Sequence, residues 1–302
     1  MTLPNLIIGG TYKAGTTSVF SYLSDHPQVC GSNIKETDFF VSYYTGDHAK
    51  DEAALGRHFR HCADEAPIRL EASAGYLARA DIVAERIKKL IGDPKIIFIL
   101  RDPSNRLYSY FNYLIGELSI PSSITFDEYV RLALSYDAGE LARTDIPFDP
   151  GYLAGLRHGR YSQYLEIFFS AFEKGSIKVT LFEELEVDAR AFMLDLSRFA
   201  GIDPLFYENY KFERVNTTFF SKNTALHRLA ILINKKFERF TRQRPTLKMS
   251  LVAAYKRFNM AQQGYKPMSS NARKVLAEYY AADMASLDAL LGSRVSEHWR
   301  KA

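Results

Sequence analysis

Cysteine is scarce in this 302-residue chain, where Cys30 and Cys62 are the only two. Their spacing matches no metal-ligand pattern and two do not make a disulfide framework, so both are expected to be reduced bystanders in a cytoplasmic protein. Long apolar runs are also lacking, and none would span a membrane. The first strand begins almost at the N-terminus, which is expected to leave no room for a signal peptide. A strong charge of one sign is missing too: 39 Lys and Arg against 35 Asp and Glu leave a net +4. That balance permits an anionic ligand and gives no reason to expect nucleic acid. What remains is a composition ordinary for a soluble globular protein, 47% apolar and 25% charged, with a high 14% of aromatics that suits a cleft-bearing α/β enzyme. The length allows one large or two smaller domains and a substantial buried core.

The chain is organised around residues 5–27, NLIIGGTYKAGTTSVFSYLSDHP. Leu6, Ile7 and Ile8 have the length of a short buried strand, Gly9 and Gly10 break it, and Val19, Phe20 and Leu23 recur at helical spacing from Thr16 onward. A strand, a glycine loop and a helix in succession aim backbone N–H groups and the positive end of the helix dipole at one point, where a phosphate is held. Gly10 and Gly15 have the spacing of the phosphate-loop pattern G-x-x-x-x-G-K-[ST], but Thr16 stands where the lysine belongs. The lysine lies further back in the loop, at Lys13, within reach of a leaving oxygen beside the phosphate. Thr16, Thr17 and Ser18 offer hydroxyls at the helix start. An ordinary glycine turn capped by threonines is the plainer alternative.

Residues 30–44, CGSNIKETDFFVSYY, are expected to form a loop in which Lys35, Glu36 and Asp38 precede Phe39 and Phe40. A carboxylate held against apolar rings has its charged form disfavoured, one way to prepare a proton acceptor. A solvated surface loop with a hydrophobic anchor reads the same way. A short helix follows over 51–62. Ile68 to Ala72 is a brief strand leading through Glu71, Ser73 and Gly75 to Tyr76. Asp81 is expected to cap a helix carrying Ile82, Val83, Ile87 and Leu90, stopped by Gly92, Asp93 and Pro94. Lys95 to Leu100, KIIFIL, is continuously apolar and β-branched, as a central parallel strand covered on both faces should be.

Strand, helix and strand in this order predict an open, parallel α/β sheet with helices on both faces, and a helix-rich C-terminal part. Ligands in such sheets sit beyond the carboxyl ends of the strands, so the loops after Ile8 and after Leu100 should face one cleft. The second loop is RDPSNRLYSYFNYL, residues 101–114. Asp102 suits a helix cap and Pro103 a first turn. Arg101 and Ser109 can then clasp a second phosphate, unless the arginine is only a structural ion pair with the cap aspartate.

Together these residues resemble the sulfotransferases that use 3′-phosphoadenosine 5′-phosphosulfate (PAPS). GTYKAGTTS is similar to the family's 5′-phosphosulfate loop. RDPSNRLYSYF resembles its 3′-phosphate motif, including the eight-residue interval from Arg101 to Ser109. KETDFF and EASAGYL resemble segments of the heparan-sulfate-type branch. GRYSQYLEIFFSAFEKGSIKVTLFEEL and the closing LLGSRVSEHWR resemble the family's helix, strand and acidic turn and the ends of bacterial members. The resemblance implies a single sulfotransferase domain over 1–302, with the sheet and nucleotide site within 1–200 and a helical, basic portion over 201–302.

It also implies roles. Lys13 would stabilise the leaving phosphate and Glu36 would take the acceptor's proton. Thr11, Tyr12, Lys13, Ala14, Gly15, Thr16, Thr17 and Ser18 would line the 5′-phosphosulfate, and Arg101 with Ser109 the 3′-phosphate. Lys266, in GYKPM, corresponds to a late basic loop, although Gln262 and Gln263 replace the charges expected there. No histidine matches the base of the hormone-type branch; His158 would be the first to test. The acceptor implied is a sugar, oligosaccharide or glycolipid hydroxyl or amine, with Phe39, Phe40, Tyr43 and Tyr44 placed to stack on its rings. PAPS is the implied donor and no metal is expected, because sulfate carries less charge than a terminal phosphate and no second-strand aspartate is evident. A small-molecule kinase would share the loop but would want lysine at position 16 and a metal-holding acid. A catalytically idle nucleotide-binding fold is the other alternative.

Further along, 126–136 and 161–172 read as amphipathic helices, 177–182 as a buried strand and 189–200 as a helix closed by Gly201. The segment 222–257 carries ten Lys or Arg against the single acid Glu238. Such a basic amphipathic stretch can lie on an anionic membrane, grip an acidic acceptor, or only pack on the core with its charges in water. Residues 271–291 predict a long closing helix, packed down by Trp299.

Overall fold

The computed structural model describes residues 3–213, 267–293 and 295–300. The basic segment 222–257 and Lys266 lie outside them. The chain forms two compact units. The first comprises Met1–Leu107, Leu156–Asn216 and Val275–Ala302; the second comprises Tyr108–Gly155 and Thr217–Lys274.

The first unit is built on five parallel strands: β1 (Leu6–Gly10), β2 (Val29–Gly31), β3 (Ile68–Ala72), β4 (Lys95–Leu100) and β5 (Ile177–Leu181), in the order β2-β3-β1-β4-β5. Helices α1 (Thr16–Ser24), α2 (His48–Gly56) and α3 (Ala80–Leu90) come between them in sequence, and α4 (Pro103–Gly116), α5 (Phe126–Asp137) and α6 (Tyr161–Ala171) between β4 and β5. Then follow α7 (Phe182–Val187), α8 (Ala189–Ala200), α9 (Ser270–Leu291) and α10 (Val295–Arg300).

Alternation of side chains along each strand feeds two separate cores. Ile7, Ile96, Phe98 and Leu100 join Val83 and Ile87 of α3 and Leu165 and Phe168 of α6 on one face. Leu6, Ile8, Ile97 and Ile99 join Val19 and Leu23 of α1 and Met193 and Leu196 of α8 on the other. The sheet is therefore covered on both sides, which is why KIIFIL tolerates no polar residue after Lys95. Phe98 is fully buried against Phe168, with ring centroids 4.7 Å apart, so truncating it to alanine should cost about 3–5 kcal/mol.

In the second unit, aromatic side chains of α4 and α5 make their own cluster. Phe111 packs on Phe126 and Tyr129, and the Tyr129 hydroxyl donates to the Tyr152 carbonyl at 2.7 Å.

Three local expectations need correction. Cys30 and Cys62 are joined in a disulfide with Cα atoms 5.8 Å apart; the β2–β3 connection brings together residues that sequence spacing leaves unrelated. Disulfides persist in oxidising compartments, so the reduced-thiol premise for a cytoplasmic location falls away. Residues 30–44 are not all loop, because Cys30 and Gly31 pair in β2 and Phe39–Tyr43 makes a single π-helical turn. Asp81 lies inside the first turn of α3, after Arg79 at the cap, where its charge still suits the helix dipole. By contrast, Gly92 (φ 91°) and Gly201 (φ 82°) end α3 and α8 as expected, each in the left-handed conformation that favours glycine.

Candidate functional site

Parallel order places the carboxyl ends of β2, β3, β1 and β4 along one edge of the sheet, so the loops after β1, β2 and β4, which carry the candidate residues, leave it there. The loop after β1 is held to its neighbours at its root. The Thr11 N–H donates to the Ile99 carbonyl at 2.9 Å, and the Ser73 N–H donates to the Ile8 carbonyl at 3.1 Å. Two left-handed residues then shape it, Lys13 at φ 68° and Gly15 at φ 75°. A side chain at Gly15 would collide with the Phe182 ring as well as strain the backbone, which explains glycine there. α1 starts with no side-chain cap and no acid in its first turn. Its first N–H groups and helix dipole are thus left for an anion rather than neutralised from within. Thr11, Ala14 and Thr16 are buried as walls of the loop, while Tyr12, Lys13, Gly15, Thr17 and Ser18 are partly exposed along it.

Arg101 ends β4 facing this loop. Its guanidinium donates to the Lys13 carbonyl at 2.9 Å and lies over the Phe182 ring, 4.6 Å from the centroid. The two candidate loops, joined by residues 88 apart in sequence, are thus held together directly. The surroundings of Arg101 are fixed by the chain's later segments. The Tyr161 hydroxyl donates to the Arg101 carbonyl at 2.8 Å. Glu183 accepts the Asp102 N–H through one oxygen and the Trp299 indole N–H through the other, at 3.0 and 2.9 Å. Asp102 caps α4 by accepting the Asn105 N–H at 2.6 Å, as its place before Pro103 predicts. Ser109 stands further along α4, in the second unit, and its pairing with Arg101 remains a proposal.

Glu36 lies beside the exit of β3. Its N–H donates to the Ala72 carbonyl at 2.8 Å, its Oε2 accepts the Ala74 N–H at 2.8 Å, and its Oε1 takes a hydrogen bond from Lys35. The next residue, Gly75, leaves room for Tyr12, whose hydroxyl a side chain there would strike. The turn after β3 that anchors Glu36 thus also packs against the lysine-bearing loop. The Glu36 side chain keeps about a third of its surface, 34%, open to solvent, so a substrate proton can reach it. Glu36 and Asp38 both adopt left-handed backbone, φ 60° and 49°. Non-glycine residues held so cost on the order of 1–3 kcal/mol each and cluster where function fixes geometry.

Burial raises the Asp38 carboxyl, opposed by the Lys35 charge. Burial lowers Lys35 to about 8, against the raising charges of Glu71 and Asp38. The strongest carboxylate shift, however, falls on a residue the sequence reading passed over. Glu71 is wholly buried, which pushes it up to about 7 despite hydrogen bonds from Ser73, Thr37 and Tyr76. The signal was present, since an acid at the penultimate position of a strand covered throughout needs a reason.

One other expectation fails. Phe39 and Phe40 are 2% and 0% exposed and belong to the core beside Tyr76 and Leu77, so they cannot stack on an acceptor's rings. Tyr44 lies under the Arg86 guanidinium, and of the four aromatics only Tyr43 is well exposed. His158 is part-buried near Arg106, Arg157 and Arg79; desolvation first and those charges next lower it to about 3, too weak a base for general-base work at neutral pH, in keeping with a structural histidine. Among the described residues one cluster has metal-ligand chemistry, Cys30, His61 and Cys62, and its sulfurs are already bonded to each other.

Bifunctional heparan sulfate N-deacetylase/N-sulfotransferase 2 of Mus musculus is 27% identical over 207 residues, 67% of this chain and 22% of that protein. Membrane-associated sulfotransferase kil1 of Dictyostelium discoideum is 33% identical over 137 residues, 43% of this chain and 28% of that one. The chain thus spans less than a third of the length of these relatives. The crystal structure of a sulfotransferase from Alicyclobacillus acidocaldarius superposes with a TM-score of 0.66 at 22% identity over 98% of both chains, a likeness of fold. A family model described as Sulfotransferase domain matches residues 3–244, most of the sequence, and the chain belongs to the sulfotransferase domain family.

Proposed function

We propose that this protein moves a sulfuryl group from PAPS to a hydroxyl or amine of a carbohydrate-containing acceptor. The observation that carries the reading is the Arg101 guanidinium donating to the Lys13 carbonyl, which joins two anion-binding loops at neighbouring strand tips. A donor with phosphate at both its 3′ and 5′ positions matches two such cradles, whereas a simple nucleoside phosphate needs one.

The donor supplies the sulfuryl group on a 5′-phosphate leaving group. The loop from Thr11 to Ser18 offers amides and hydroxyls to the 5′ end, and Lys13 offers its ammonium to the oxygen on which charge grows as the sulfur–oxygen bond breaks. Such preorganised electrostatics is usually the largest single contribution to a transfer reaction. Arg101, with Ser109, is assigned the 3′-phosphate, since its guanidinium carries five N–H groups and one of them holds the Lys13 carbonyl. Glu36 takes the proton of the acceptor as its oxygen or nitrogen bonds to sulfur. Lys35 and the Ala74 N–H hold that carboxylate in place. The second-strand aspartate that a kinase would use for Mg²⁺ is not evident in the sequence, and on that ground metal-free transfer is proposed. The heparan sulfate enzymes among the relatives favour a glycan acceptor.

The direct test is transfer of radiolabelled sulfate from PAPS to N-deacetylated heparosan, chitooligosaccharides and glycolipids, with Lys13→Ala alongside. Turnover of the variant should fall by roughly two orders of magnitude or more. Near-normal sulfation by Lys13→Ala would remove that residue from the mechanism.

A further inference from the structure

Glu71 is a carboxylate with no solvent exposure, placed under the loop that presents Glu36. Three hydroxyls converge on its Oε1: Thr37 and Ser73, each at 2.6 Å, and Tyr76 at 3.4 Å. Each hydroxyl in turn accepts a backbone N–H from the loop. The Asp38 N–H donates to Ser73 Oγ at 2.9 Å, the Phe39 N–H to Thr37 Oγ1 at 3.3 Å, and the Phe40 N–H to Tyr76 OH at 3.4 Å. Consecutive amides 38, 39 and 40 therefore hang, through one hydroxyl each, from a single oxygen of one buried side chain. Among the described residues its other oxygen, Oε2, has no hydrogen-bond partner. A carboxylate used only for packing support would be cheaper as an apolar group, because an unpaired buried oxygen costs about 1–3 kcal/mol. The left-handed backbone at Glu36 and Asp38 also needs something to hold it, and this network encloses both residues.

We propose that Glu71 is a positioning residue for sulfuryl transfer, fixing the strained turn that aims Glu36 and supplying a negative charge beneath the Lys35–Glu36 pair. The proposal rests on the reading of Glu36 as the base. The charged and titratable groups facing Glu71 are Lys35 and Asp38 on the loop and Tyr76 on the turn after β3. The charge of Glu71 is the larger of the two that raise Lys35 against its burial. Removing it must lower Lys35 further and leave less ammonium to hold Glu36.

The test is Glu71→Gln in the full chain, which keeps the shape and one acceptor oxygen but removes the charge, beside Thr37→Val, which removes one hydroxyl. Two readouts need no acceptor. Amide hydrogen exchange at 38–40 should quicken at least tenfold in both variants. The Lys35 titration, followed through its labelled Cε by NMR, should move to lower pH in Glu71→Gln and stay in place in Thr37→Val. With PAPS and N-deacetylated heparosan, kcat of Glu71→Gln should fall tenfold or more, with the basic limb of its pH profile displaced downward. Affinity for 3′-phosphoadenosine 5′-phosphate (PAP) should change less than threefold. A loss of nucleotide affinity in step with kcat, with Lys35 unmoved, would make Glu71 a structural support only and overturn the proposal. So would unchanged exchange at 38–40. Full turnover by Glu36→Gln would instead sink the base assignment, whereas an inactive Glu36→Gln beside a normal Glu71→Gln would sink the positioning role alone.

Discussion

Replacing Arg101 by alanine separates the two cradles with one change. The guanidinium donates to the Lys13 carbonyl at 2.9 Å and covers the Phe182 ring at 4.6 Å. A hydrogen bond from a charged donor is worth about 1.5–3 kcal/mol, and a partly desolvated cation–π contact about 0.5–2. Their loss should destabilise the first unit by about 2–5 kcal/mol. For a domain of this size that is a fall of roughly 4–10 °C in Tm. The functional effect should be larger than the stability effect, because the same side chain is assigned to the nucleotide. Arg101→Ala should bind PAP at least tenfold more weakly, and adenosine 5′-phosphate, which lacks the 3′ group, with a much smaller change. Arg101→Lys should recover part of the stability but not the discrimination, since an ammonium cannot present a planar fork to both a carbonyl and a phosphate. Differential scanning calorimetry and isothermal titration on the same preparations give both numbers. Equal loss for the two nucleotides would show that Arg101 only props up the Lys13 loop. No loss for either would refute the shared site.

Other expectations follow from the same geometry. Glu36→Gln should abolish turnover while leaving PAP affinity within threefold, read by label transfer and calorimetry. Glu71 is protonated in both folded and unfolded chains below about 4.5, and burial keeps it protonated in the folded state up to about 7. The unfolded chain therefore releases that proton first, and stability falls as pH rises through this window, by on the order of 3 kcal/mol from this group. Urea unfolding at several pH values should show that slope in the wild type and its absence in Glu71→Gln. Opening the disulfide, which closes a loop of sequence separation 32, should cost about 4 kcal/mol by chain entropy, seen as a lower urea midpoint for Cys30→Ser with Cys62→Ser.

What could be read from the sequence was local. KIIFIL reads as a central strand because every residue after Lys95 is apolar, and β4 occupies those residues. The glycine loop and the Asp102–Pro103 helix start are likewise patterns of adjacent residues, and both appear at the expected positions. What could not be read was long-range. Nothing in the spacing of Cys30 and Cys62 indicates that β2 and the turn near Phe59 lie together. The aromatic pair Phe39–Phe40 reads equally well as a surface anchor or as core, and only the packing of α3 and the β3 exit decides for core. Glu71 escaped notice because its significance comes from Thr37, 34 residues away in sequence, and from Ser73 and Tyr76, which look like ordinary turn residues until the hydroxyls converge. The pairing of Arg101 with Lys13 was foreseeable in direction from the parallel topology alone, but not in its detail, in which the guanidinium grips the loop's own backbone.

The most direct measurement is titration calorimetry of the wild-type protein with PAP, adenosine 5′-phosphate and ATP, each with and without Mg²⁺. Two cradles built for one bis-phosphorylated nucleotide predict tightest binding of PAP, with no need for the metal and with a clear loss when the 3′-phosphate is absent. Preference for ATP with Mg²⁺, or equal affinity for PAP and adenosine 5′-phosphate, would contradict the account.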